Sequence, residues 1–190
     1  MEKFAYIHGW ASSFDPDSNK IITISKEMDA DVVGTTLDYA KPREETIKAL
    51  FDFIKDNNID AIFGTSFGGY WAAIIGNMCG IPFVSINPVV EPAKALRKYV
   101  GGGTTYHGVK YNLTEEIVDQ FSGHNFPEYG NGMVLLDQDD EVIDSNQTLK
   151  QLIDFHPVVF SGGSHRFDHM KEAIPYIQKF LAMSIVDGLT

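Results

Sequence analysis

Cationic side chains are scarce in this 190-residue chain: 15 Lys and Arg stand against 26 Asp and Glu, a net charge of −11. A field of that sign repels nucleic acid and anionic lipid, so neither is an expected partner. Cysteine is nearly missing as well. The lone thiol, Cys79, cannot close an internal disulfide, which fits a reducing compartment. Long apolar runs are lacking too: stretches such as Tyr70-Trp71-Ala72-Ala73-Ile74-Ile75 fall far short of the roughly 20 residues a spanning helix needs. Met1-Glu2-Lys3 leads straight into Phe4-Ala5-Tyr6-Ile7, without an apolar h-region and a small-residue cleavage site, so no leader is expected and the expected location is cytoplasmic. There is no Gly-Lys-Ser/Thr loop and no Gly-x-Gly-x-x-Gly, so nucleotide binding has no anchor. No internal repeat or domain linker interrupts the sequence.

The composition is that of a chain that buries a core, with 44% hydrophobic and 12% aromatic residues, 17 Gly and 8 Pro. At roughly 150 residues per domain the length predicts a single domain over residues 1–190. Short apolar runs at 3–7, 31–36, 60–63, 83–86, 133–136 and 158–160 read as strands. Several are apolar at successive positions, the mark of strands covered on both faces, as in a parallel sheet. Between them, 18–28, 44–57, 67–78, 144–155 and 166–181 are long enough for crossover helices. The 44–57 segment places Ile47, Leu50, Phe51 and Ile54 on one helical face. Repeated strand-then-helix order predicts an open α/β sheet. Residues 91–132 break the rhythm. They offer no convincing strand, and Gly101-Gly102-Gly103 separates a basic patch of Lys94, Arg97 and Lys98 from a stretch bearing Tyr and Phe. The segment reads as a partly helical insertion or lid over a site, with a pure packing role as the alternative.

Chemistry concentrates in Gly64-Thr65-Ser66-Phe67-Gly68-Gly69, between an apolar run and a helical pattern. A strand that turns abruptly into a helix strains its turn residue and needs tiny neighbours two positions away, which Gly64 and Gly68 supply. Such a turn lifts the Ser66 hydroxyl out of the sheet edge beside the first amides of the helix, where negative charge is stabilised. A serine needs a base, and the base a carboxylate to orient it. His165 ends Ser161-Gly162-Gly163-Ser164-His165, a loop at a strand's C-terminal end, and is the expected base. Asp140, in the loop after the run at 133–136 with Val142 and Ile143 behind it, is the expected acid; Asp139 is the alternative, and the neighbouring acids read as solvated. The order Ser66, Asp140, His165 suits this architecture. The Phe67 amide and, from the loop after the first strand, the Trp10 amide are the expected oxyanion donors, with Gly9 giving the backbone room to turn. His8 reads as structural, or as an alternative base. His107, His124 and His156 read as surface or packing residues. His169 reads as a solvated helix residue, with metal chelation alongside His165 as the lesser alternative.

These residues resemble the α/β-hydrolase superfamily and, more narrowly, the small bacterial YqiA-like esterase family. The likeness rests on His8-Gly9 followed by Ser12-Ser13, the elbow 64–69 including Gly69, Asn87-Pro88, Asp140-Glu141-Val142 and Gly162-Gly163-Ser164-His165-Arg166-Phe167. The resemblance implies an α/β-hydrolase fold reduced to six parallel strands in the order 2-1-3-4-5-6, flanked by helices and lacking the two N-terminal antiparallel strands of larger relatives. It implies an esterase-type hydrolase without metal or organic cofactor, acting on carboxylic esters or thioesters through an acyl-enzyme. A thioesterase acting on acyl-coenzyme A or an acyl carrier is the rival within enzymes, its phosphates meeting Lys94, Arg97 and Lys98, which otherwise form a solvated helix face. A non-catalytic binding or regulatory protein on the same scaffold is the rival outside them.

Overall fold

The structure, a computed structural model, describes residues 1–187. The chain order is β1 (Glu2–Ile7), α1 (Asn19–Met28), β2 (Ala30–Val33), α2 (Arg43–Asn57), β3 (Ala61–Thr65), α3 (Phe67–Cys79), β4 (Phe83–Ile86), α4 (Pro92–Arg97), β5 (Gly101–Thr104), β6 (Lys110–Leu113), α5 (Glu115–Asp119), β7 (Gly132–Asp137), α6 (Ser145–Gln151), a 3-10 turn (Ile153–Phe155), β8 (Val158–Phe160) and α7 (Met170–Asp187). Six strands form one sheet in the order β2-β1-β3-β4-β7-β8, every pair parallel. Counted within that sheet this is the expected order 2-1-3-4-5-6.

Each face of the sheet carries its own apolar layer. On one, Phe4, Phe63, Val84 and Leu135 pack against Ile21 and Ile24 of α1 and Ile174 and Ile177 of α7. On the other, Ile62, Phe83 and Val134 meet Leu50 and Ile54 of α2 and the almost wholly buried α3. This two-sided burial is why β3, β4 and β7 read as unbroken apolar runs. Pairing of Ile7 with Gly64, Thr65 with Ile86 and Asp137 with Phe160 levels the C-terminal strand ends, so the loops beyond them share one rim.

Four expectations need correction; in the first, the strand expected at 31–36 is β2, Ala30–Val33. The insertion does contain strands: β5 and β6 form an antiparallel hairpin, with Gly103 paired to Tyr111. A Cβ on Gly103 would strike the Tyr111 ring, so the glycines admit a close aromatic cover and do not merely separate segments. The last helix starts at Met170 instead of residue 166, because Phe167 takes φ +64°. The expected helix 144–155 breaks at Leu152 into α6 and the 3-10 turn.

Candidate active site

At the end of β3 the chain reverses into α3 through Ser66, whose backbone stands at φ +60° and ψ −121°. Non-glycine residues avoid that region, so the surroundings must impose it. They do so by close approach. A Cβ on Gly64 would run into the Gly68 backbone, and one on Gly68 into the carbonyls of Ile7 and His8, while one on Gly69 would lie 3.0 Å from the Pro88 Cβ. The Ser66 amide donates to Ile86 O (2.9 Å), and its carbonyl accepts from Gly69 and Val89 (3.0 and 3.1 Å). Ser66 thereby stands clear of the sheet at the start of α3.

His165 Nε2 lies 2.9 Å from Ser66 Oγ, and His165 Nδ1 lies 2.8 and 3.0 Å from the two carboxylate oxygens of Asp140. The Asp140 side chain is only 1% exposed. Its Oδ1 also accepts the amides of Val142 and Ile143, each at 2.8 Å, so the turn that follows fixes the carboxylate in place. Donation from Nδ1 to this carboxylate leaves Nε2 free to accept the serine proton. Asp139 is exposed and contributes its amide to Gly162 O. Glu141, whose carboxylate accepts the His165 amide at 2.9 Å, has its pKa lowered chiefly by that bond.

The loop after β1 runs alongside: a Cβ on Gly9 would lie 3.9 Å from Ser66 Oγ. The Trp10 indole stacks on Tyr99 (5.4 Å between centroids), meets Tyr111 edge-on (5.2 Å) and approaches Phe67 (6.4 Å). Tyr106 N donates to Ala11 O (2.9 Å), tying the tip of the hairpin to this loop. His8 is held through both nitrogens: Leu37 N donates to Nε2 and Nδ1 donates to Gly9 O, each at 2.8 Å. Neither nitrogen is left to serve as a base.

His107, His124 and His156 are exposed. His169 is not the solvated helix residue expected. Its Nδ1 lies 2.7 Å from Asp137 Oδ1, and its ring stacks on Phe160 at 5.3 Å. Asp137, read with its neighbours as a solvated acid, is fully buried. His165 and His169 thus face different carboxylates, and the described residues contain no group of three or more His, Cys, Asp or Glu able to hold a metal. The basic patch is engaged: Arg97 pairs with Glu115 and Asp119, Lys94 pairs with Glu91, and Lys98 lies over the Tyr99 ring. Sequence reasoning passed over Asn87 as a contact of the histidine loop and Asp137 as a buried anion. The usable signal for Asp137 was an acid continuing an apolar strand without a break, since a charge drawn into such a strand has to be paired.

The model of an uncharacterised protein family, UPF0227, matches residues 3–182. The chain belongs to the UPF0227 family. A UPF0227 protein of Vibrio parahaemolyticus is 25% identical over 181 residues, covering 92% of this chain and 97% of its own length. Another, from Yersinia pseudotuberculosis, is 25% identical over 183 residues, covering 93% and 96%. Among solved structures, Est1E from Butyrivibrio proteoclasticus superposes with a TM-score of 0.74 at 14% identity, over 97% of this chain and 88% of that one. The monoacylglycerol lipase of Paleococcus ferrophilus gives 0.69 at 15% identity, over 96% and 94%. Identities this low speak to architecture, and the architecture of this UPF0227 chain is that of the α/β-hydrolases. No helix among the described residues is long and apolar enough to cross a membrane.

Proposed function

We propose that the chain is a serine hydrolase that cleaves carboxylic esters with small or medium acyl groups through an acyl-enzyme. The observation that carries this reading is the continuous path from Ser66 Oγ through His165 to the buried Asp140 carboxylate, with contacts of 2.8 to 2.9 Å on either side of the ring. In this reading His165 Nε2 takes the serine proton as Oγ attacks the acyl carbon, then returns it to the leaving oxygen as that bond breaks. Asp140 holds the imidazole in the Nδ1–H tautomer and stabilises its transient positive charge. The Phe67 amide, at the positive end of α3, and the Trp10 amide hold the oxyanion. Water, activated by the same histidine, then releases the acid and frees Ser66 Oγ.

A cavity lies beside Trp10. It has a volume of about 200 Å³ and is walled by Trp10, Leu37, Tyr39, Val109 and Tyr111. Ser66 and His165 are not part of its lining, but Trp10 and Tyr39 both pack on Phe67, the residue after the serine. The cavity is smaller than the roughly 300–1,000 Å³ of drug-sized pockets, in keeping with a small group lodged beside the elbow. Nothing favours a coenzyme A thioester, since two of the three cations that would meet its phosphates already pair with carboxylates.

A fluorophosphonate probe tests the reading. The expected result is a label on Ser66, lost in Ser66→Ala and strongly reduced in His165→Ala, with p-nitrophenyl acetate turned over faster than long-chain esters or acyl-coenzyme A. Asp140→Asn should slow hydrolysis on the order of 10⁴-fold, as loss of the orienting carboxylate does in a serine triad, with a much smaller effect from Asp139→Asn. Failure of the folded wild type to label would favour a non-catalytic binding protein.

A further inference from the structure

The segment that carries His165 has no helix or strand ladder of its own. Between Phe160, where β8 ends, and Met170, where α7 begins, three residues take left-handed backbone angles: Gly162 (φ +80°), Gly163 (φ +79°) and Phe167 (φ +64°). Two consecutive glycines give such a loop wide conformational freedom, and its amides and carbonyls must find partners outside it. Two buried side chains supply most of them. Asp137 Oδ2 accepts the amides of Ser164 (3.1 Å) and Asp168 (2.7 Å), and its Oδ1 faces His169 Nδ1 at 2.7 Å. Asn87 Nδ2 donates to the carbonyls of Ser164 (3.0 Å) and His165 itself (3.2 Å), while its Oδ1 accepts the Asp137 amide at 2.9 Å. Asp137 is 0% exposed and Asn87 is 1% exposed. A Cβ on Gly163 would collide with the Asp137 carboxylate, so the loop lies directly against it.

We infer that Asp137 and Asn87 are positioning residues for His165: a buried carboxylate and a buried carboxamide, linked through the Asp137 backbone amide, that set where the histidine loop stands and hence the reach of Nε2 to Ser66. The inference rests on the reading of His165 as the base. Asn87 follows β4, the strand between the one ending at the serine and the one leading to Asp140. A strand with no reacting group of its own therefore braces the base against its neighbours. The polarity of the brace is fixed. Asp137 meets only donors, so a carboxamide of the same size would turn an NH₂ toward N–H groups, and hydrogen bonds to a buried charge are the strong ones. A shift of about 1 Å in a reacting group can cost on the order of 100-fold in rate, so a slackened loop should be felt in chemistry before binding.

The test compares Asn87→Ala, His169→Phe and His169→Gln with the wild type, following kcat and KM on p-nitrophenyl acetate, the fluorophosphonate labelling rate, and the low-field proton resonance of His165 Nδ1. For Asn87→Ala, kcat and labelling should fall about 10- to 100-fold while KM stays within about twofold, and the low-field resonance should broaden or vanish. His169→Phe removes one donor from Asp137 and should lower kcat several-fold, with His169→Gln restoring most of it. A folded Asn87→Ala protein with wild-type kcat and labelling overturns the inference. Should that variant not fold, equal kcat in His169→Phe and His169→Gln overturns it instead. A wild type that does not label would mean that the hydrolase reading itself has failed, an outcome distinct from both.

Discussion

The imidazole of His8 is 3% exposed, sits 5.0 Å from the Tyr39 ring, and is bonded through each nitrogen to the backbone. Burial is the main reason its pKa drops from 6.5 to about 4, with the bond to Gly9 opposing and nearby His107 reinforcing the fall. The unfolded chain therefore binds a proton at this residue that the folded chain refuses between those two values. Stability from this group is fully present above pH 6.5, declines as pH falls toward 4, and levels off below; a shift of that size is worth about 3 kcal/mol. Urea midpoints measured across this range should show the decline, and His8→Gln, which keeps one acceptor and one donor without a titrating ring, should flatten it. Among single residues, the three side chains that converge at the elbow, Ser66, Asp140 and His165, stand out in the sequence because each sits in a local pattern of glycines and loop ends. Asp137 does not. In Asp137-Gln138-Asp139-Asp140-Glu141 the acids look alike by composition; the first differs in continuing the apolar strand, and the loop 162–169 then covers it.

At the scale of elements, the junction of β3 and α3 keeps a side chain where backbone sterics favour glycine. The cost of holding a non-glycine residue in a sparsely populated region is of order 1–3 kcal/mol. Ser66→Gly should accordingly be more stable than Ser66→Ala by about 1 kcal/mol in urea titrations while neither variant hydrolyses ester. The sheet strands were readable because burial on both faces leaves a continuous apolar signature, whereas their order was implied only by the family resemblance. Element ends were less so: β2 stops at Val33, short of residue 36, as the chain turns to bring the Leu37 amide onto His8. The hairpin of β5 and β6 escaped because its glycine run carries no strand propensity. The Tyr111 ring lies across Gly103, and the partner strand Lys110-Tyr111-Asn112-Leu113 does alternate polar and apolar residues, but over four positions only.

Over the whole molecule, Ser66, Asp140 and His165 all leave the sheet at one rim, and the insertion folds against that rim from a single crossover between β4 and β7. Within it, Arg97 ties α4 to Glu115 and Asp119 of α5, so the insertion is braced internally by charge. Phe121 packs it into the core against Phe67 and Trp71, while at the loop after β1 Tyr99 and Tyr111 meet the Trp10 ring and the Tyr106 amide donates to the Ala11 carbonyl. The chain contains two tryptophans, and the second, Trp71, is fully buried in α3. In a Trp71→Phe background, the remaining indole becomes an intrinsic optical gauge of whether the hairpin is seated. Its emission should shift to the red when Tyr99 and Tyr111 are both replaced by Ala and water gains access to the ring. Titrating a non-hydrolysable ester analogue into the single-tryptophan protein would then read, in colour, whether the cover stirs as the pocket fills.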